Sequence, residues 1–210
     1  MKHALGIAGP DGKTEFQKNI EAITTELGEI PADSRVVVIG ITDQSFAQPD
    51  ILLSATIPAD AGYFGERLAA AQTLLVRTWK SRSAKLEPTY RQTDIIGALL
   101  IASQIFEAAS SGQKVLIIYS DMRHRTPGLN MESERHDPDS GWRKLFQVSV
   151  IPNLSDVKVN ILGVDGAGKS MQYWQGLRRL WTDFLRASGA EVREFSPLRG
   201  LQGAEMPCSP

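Results

Sequence analysis

The sequence predicts an α/β protein arranged as a Rossmann-like three-layer αβα sandwich, with a mostly parallel central sheet and an antiparallel edge strand. Three observations predict it. Residues 35–41, 115–120 and 157–162 are apolar runs rich in β-branched side chains, as strands covered on both faces must be. Helical apolar patterns separate them, and strands alternating with helices require parallel pairing through right-handed crossovers. A shorter apolar run at residues 51–57 follows the first across the turn-forming Gln48-Pro49-Asp50 and stops at Pro58, which makes a hairpin at one sheet edge.

The elements follow in order. Residues 2–8 stand where a first strand is expected. Phe16, Ile20, Ile23 and Leu27 recur at helical spacing over residues 14–27, with Gly28 placed as a left-handed C-cap. The 35–41 strand, which reads as central, and its hairpin partner come next. Phe64, Leu68, Ala71, Leu75 and Trp79 then mark one face of a helix, whose basic end at residues 80–85 reads as solvated surface and which Glu87-Pro88 terminates. An apolar helix over residues 93–109 leads into the 115–120 strand. A long polar segment at residues 122–140 is a functional or mobile loop. Residues 145–151 suit a short helix or a strand equally, whereas 157–162 is a clear strand. Trp174, Leu177, Trp181, Phe184 and Leu185 define a long helix closing at Gly189, with both tryptophans assigned to the core and Tyr173 and Arg178 to its solvated flank. Residues 191–195 complete the sheet. One domain over residues 1–198 and a poorly ordered tail over 199–210 are expected.

Composition excludes several classes. The 210 residues carry a formal charge of −1 with a pI near 6.3, so no global basic field attracts nucleic acid. Cys208 is the single cysteine, which rules out an intrachain disulfide or a thiolate cluster. No run of about 18 apolar residues occurs, and residues 1–6 lack the apolar centre of a secretion signal. A cytoplasmic chain without membrane insertion is the expectation for the sequence as it stands.

Two motifs carry a family resemblance. Thr93-Asp94-Ile95-Ile96-Gly97-Ala98-Leu99 opens an apolar helix, and Val115-Leu116-Ile117-Ile118-Tyr119-Ser120-Asp121 is a strand ending in a carboxylate. Together they resemble a von Willebrand factor type A domain, and the expected order of elements is that of the family. The resemblance implies that Thr93 and Asp121 stand at two corners of a metal-ion-dependent adhesion site. In the family the remaining ligands come from a DxSxS motif at the end of the first strand, and such oxygen donors suit magnesium, manganese or calcium. Here the corresponding positions are Gly6-Ile7-Ala8-Gly9-Pro10, without carboxylate or hydroxyl, so the site is degenerate. An alternative register takes residues 36–42 as the first strand and Asp43 and Ser45 as a DxSxA version of the motif, restoring an acidic corner for magnesium or manganese. The bland reading of Asp43 and Ser45 is a loop cap.

A rival reading rests on Gly163-Val164-Asp165-Gly166-Ala167-Gly168-Lys169-Ser170, a GxxxxGKS match between a strand and a helix. Gly163 and Gly168 would shape a loop for the phosphates of ATP or GTP, Lys169 would neutralise them and Ser170 would hold magnesium. Hydrolysis also needs a carboxylate at a neighbouring strand's end, and none follows the loop. His124 and His136, near Asp121 and Asp137, lack the spacing of a zinc site on one helix face. No serine sits in a GxSxG elbow, so hydrolase chemistry is unsupported. The sequence therefore points to a non-enzymatic module without catalytic residues or a cofactor, binding another protein independently of metal. The alternatives are a metal-dependent adhesion module (Asp43, Ser45, Thr93, Asp121) and a nucleotide-binding protein (Gly163, Gly168, Lys169, Ser170).

Overall fold

A computed structural model describes residues 8–88, 92–109, 112–131, 145, 147, 150–164 and 168–201. It shows a broadly α/β fold, with a parallel three-stranded sheet and a separate antiparallel pair. The chain divides into two compact units, Met1–Arg91 and Gln92–Pro210. All but the last residue of the expected 2–8 strand, residues 146, 148 and 149 of the 145–151 segment and most of the 199–210 tail lie outside the described residues.

In the first unit α1 spans Glu15–Gly28. Thr14 starts it with a capping box: its hydroxyl accepts from Gln17 N–H at 3.1 Å while the Gln17 side chain accepts from Thr14 N–H at 2.8 Å. The helix runs through Gly28 and is capped by Glu29 at φ −112°, so the expected left-handed glycine cap does not form. A Cβ at Gly28 would stand 3.8 Å from Val76 Cγ2, an ordinary van der Waals contact, so the packing there does not require glycine. Strands β1 (Arg35–Gly40) and β2 (Asp50–Thr56) form the expected antiparallel hairpin. Among the described residues β1 pairs with β2 alone and is mostly half-buried, unlike the fully covered central strand its sequence suggests. Helix α2 covers Glu66–Ser83. Leu27, Leu53, Ile57, Leu75 and Trp79 make the buried core shared by helices and hairpin. The Trp79 indole N–H donates to Thr24 Oγ1 at 3.1 Å, so a large apolar side chain is buried without stranding its one polar group.

Phe64 departs from the predicted stripe. It precedes the helix and is almost wholly exposed, because Glu66 reaches back to accept Phe64 N–H at 2.9 Å and the helix starts only at Glu66.

In the second unit α3 (Ile95–Glu107) precedes β3 (Lys114–Tyr119), and β4 (Val157–Leu162), α4 (Met171–Ala187) and β5 (Glu191–Ser196) form a strand–helix–strand unit. The strands are parallel in the order β3-β4-β5. The middle strand, β4, has Val157, Val159, Ile161 and Leu162 fully buried. Helix α3 is buried on several sides, as its unbroken apolar sequence requires. Helix α4 buries Leu177, Leu180, Trp181, Phe184 and Leu185 and leaves its opposite face to solvent.

The end of α4 gives a sharp test. Gly189 has φ +84°, and a Cβ there would meet Ser155 Oγ at 2.9 Å and Ser155 Cα at 3.2 Å. Gly189→Ala is expected to destabilise the protein by about 2 kcal/mol, from the left-handed backbone and the contact with fixed main chain. Urea denaturation measures it; a loss below about 0.5 kcal/mol, the scatter of ordinary surface changes, would show that the turn relaxes freely.

Candidate functional site at the carboxyl edge of the parallel sheet

Ligands of open parallel sheets bind beyond the carboxyl ends of the strands. In the second unit three loops emerge there, following β3, β4 and β5. The loop after β3 begins with Ser120, whose hydroxyl accepts from Met122 N–H at 3.0 Å. Met122 is fully buried at φ +60°, a costly conformation for a non-glycine residue that its surroundings must enforce. They do so through its carbonyl, which accepts from Trp181 Nε1–H at 2.8 Å and from His124 N–H at 3.1 Å. Helix α4 thus pins the loop from below.

His124 is 2% exposed. Its Nδ1 accepts Ile95 N–H at 3.2 Å, which leaves the ring proton on Nε2, 3.2 Å from Thr126 Oγ1. Burial holds its pKa down, at about 4 against an ordinary 6.5, with Asp94 opposing the shift, so the ring is neutral at physiological pH. Asp94 caps the same helix by accepting Gly97 N–H at 2.8 Å. Two side chains, one from each loop, therefore satisfy the first donors of α3. An antiparallel bridge adds to this: Thr93 and Arg125 exchange both N–H···O bonds at 3.0 Å. The structure brings the Thr93 and Asp121 loops together.

Asp121 faces its own neighbour. Its Oδ1 accepts Arg123 N–H at 3.0 Å and its Oδ2 lies 3.5 Å from Arg123 Nε. The Arg123 guanidinium lies 5.4 Å from the centre of the Trp174 ring, at cation–π distance. Trp174 meets Tyr173 edge-on at 5.6 Å, and Lys169 Nζ sits 5.1 Å from the Tyr173 ring centre. The Tyr173 hydroxyl donates to Met131 O at 2.6 Å. Tyr173 is thus half-buried and bonded, a correction to its expected solvated role, and Trp174 is half-buried where a core position was expected. Both changes have one cause: the first turn of α4 lies against the 122–131 loop, where Tyr173 meets the Met131 carbonyl and Trp174 the Arg123 side chain.

The GxxxxGKS segment joins β4 to α4 as expected, and residues 165–167 lie outside the described ones. Gly163 and Val164 donate their N–H groups to Leu198 O and Ser196 O, at 3.0 and 3.1 Å. Ser170 is the N-cap of α4, its hydroxyl accepting Tyr173 N–H at 3.2 Å. The hydroxyl assigned to magnesium therefore already accepts a bond from its own helix. In the first unit, Ser45 is fully buried; its hydroxyl accepts Thr42 N–H at 3.0 Å and lies 3.3 Å from Thr42 O, closing a local turn that includes Asp43. His136 and Asp137 lie outside the described residues, and among the described ones no group of three His, Cys, Asp or Glu side chains is placed to hold a metal ion. No described helix is long and apolar enough to cross a membrane.

Sequence reasoning did not find Arg123 and His124 as the organising residues of this edge. The expected 93–109 helix starts only at Ile95, with Asp94 as its cap, and the partnership of His124 with Ile95 was not legible, since it joins loops far apart in sequence. No family model matches the chain, and no curated protein matches it.

Proposed function

We propose that the chain is a von Willebrand factor A-like interaction module, without catalytic activity, that binds another protein through the carboxyl-edge loops of β3, β4 and β5 and does so without a metal ion. The three-layer αβα arrangement with one mostly parallel sheet belongs to the same reading. One observation carries it: the first motif is joined, backbone to backbone, to the loop that follows the second by the Thr93–Arg125 bridge, at the sheet edge where this fold class takes its ligands. The metal-free part is supported by Arg123, whose amide and guanidinium face the Asp121 carboxylate and supply the positive charge that a cation would otherwise bring.

The nucleotide-binding alternative keeps the right local order of strand, glycine-rich loop and helix. The cap bond accepted by the Ser170 hydroxyl, the group assigned to magnesium, weighs against it. Thermal unfolding separates the readings, because a ligand that binds only the folded state raises the melting temperature. Wild type and Asp121→Ala are expected to be indifferent to millimolar magnesium or manganese, and wild type and Lys169→Ala to ATP and GTP. A metal-induced rise lost in Asp121→Ala overturns the metal-free reading. A nucleotide-induced rise lost in Lys169→Ala replaces it with phosphate binding.

A further inference from the structure

We propose that the outer face of α2 is a self-association surface, on which a second copy of the chain lays its own α2 antiparallel about a two-fold axis at Thr73. The inner face of this helix is committed to the core through Leu75, Trp79 and Ser83. The outer face exposes Glu66, Ala69, Ala70, Thr73, Leu74, Arg77 and Lys80, one continuous stripe at helical spacing.

Two features make the stripe more than ordinary surface. The first is the pair Tyr63 and Phe64, each 90% exposed, which contact one another edge-on at 4.6 Å just ahead of the helix. Their loop is fastened: Gly62 N–H donates to Asp60 Oδ1 at 2.9 Å, Phe64 N–H to Glu66 Oε2 at 2.9 Å, and Arg67 and Leu68 N–H to Ala61 O at 3.0 and 3.1 Å. Arg67 also pairs with Asp60. Aromatic side chains on a preorganised loop lose little freedom on binding, the usual property of an interface anchor. The second feature is an open groove beside α2, with Gly28, Ala69 and Val76 as its apolar part and Arg77 and Lys80 among its polar lining.

Charge selects the occupant. With Asp60 paired to Arg67, Glu66 leaves the leading end of α2 acidic, Ala69, Ala70, Thr73 and Leu74 leave the middle of the stripe uncharged, and Arg77 and Lys80 make the trailing end basic. Thr73 stands midway between Glu66 and Lys80. An antiparallel pair centred there sets each Glu66 opposite the other copy's Lys80 and carries each aromatic pair to the basic end of the other groove. A parallel pair would set like charges together. A surface that complements itself only after a two-fold rotation is the condition for a closed dimer. The small central residues permit the approach of about 8–10 Å between axes that packed helices adopt.

Sedimentation equilibrium on the full chain tests the proposal. Wild type is expected to dimerise, and both Tyr63→Ser/Phe64→Ser and Lys80→Glu to raise the dimer dissociation constant at least tenfold with far-UV circular dichroism unchanged. In a Cys208→Ser background, Thr73→Cys is expected to form a disulfide-linked dimer on mild oxidation. Ser81→Cys should not, because the antiparallel pairing holds its two copies about 24 Å apart along the helices. A wild type that stays monomeric, a dimer indifferent to both sets of substitutions, or equal crosslinking at the two cysteine positions overturns the proposal. So does a monomer that binds phosphatidylserine vesicles through Tyr63 and Phe64.

Discussion

Replacing Trp181 with alanine is expected to cost about 5 kcal/mol, the upper end of the range for a buried tryptophan. Two losses add. The indole is fully buried and meets Phe184 edge-on at 5.8 Å, so its removal opens a cavity at the centre of the α4 packing. Its Nε1–H also holds the Met122 carbonyl at 2.8 Å, and that carbonyl anchors a residue at positive φ. Trp181→Phe separates the terms: it retains most of the apolar volume and leaves the carbonyl with the His124 N–H alone, for a loss of about 0.5–1.5 kcal/mol. Urea denaturation followed by circular dichroism gives both numbers. If Trp181→Phe proves as stable as wild type, the bond to Met122 does not hold the loop.

The second large effect is a dependence on pH. His124 has a pKa of about 4 in the folded chain and an ordinary value near 6.5 when unfolded. Between these values the unfolded chain takes up a proton that the folded chain refuses. Stability is therefore complete above pH 6.5, falls as pH is lowered through the window and stops falling from this source below pH 4. The full loss is about 3 kcal/mol at 1.36 kcal/mol per pKa unit. Protonation on Nδ1 would also expel the Ile95 N–H from its acceptor. His124→Asn, which offers a neutral side-chain oxygen in place of Nδ1, is expected to flatten the difference between stabilities measured at pH 7 and at pH 4.5. Equal slopes for the two proteins would show that another group carries the acid sensitivity.

These effects arise where residues distant in sequence meet, which explains what could be read beforehand. The described strands, the hairpin and helix α4 were legible because each depends on a local pattern: β-branched runs, a proline-bounded turn, apolar residues at helical intervals. Thr93 and Asp121 were paired only through the family resemblance; what the structure shows is a bridge between Thr93 and Arg125, in the loop after Asp121. The roles of Tyr173, Trp174 and Phe64 were not legible. Periodicity says which residues share a helix face; it does not say what lies against that face or where the first turn begins. Tyr173 finds the carbonyl of Met131, and Phe64 falls outside its helix because Glu66 claims its amide.

By itself the amino-acid order determined the identities of the segments: which runs extend, which coil into helices, and that a lone cysteine and a balanced charge leave neither disulfide nor basic field. Tertiary structure alone decided that β1 pairs with β2 apart from the parallel sheet, that His124 caps α3 as a neutral acceptor, and that the Asp121 carboxylate faces Arg123. The physical reason is the range of the forces concerned. Backbone propensity and amphipathic periodicity act within a few residues. The burial that shifts a histidine's pKa, and the bonds that hold a loop in an unfavourable conformation, exist only once distant segments have packed.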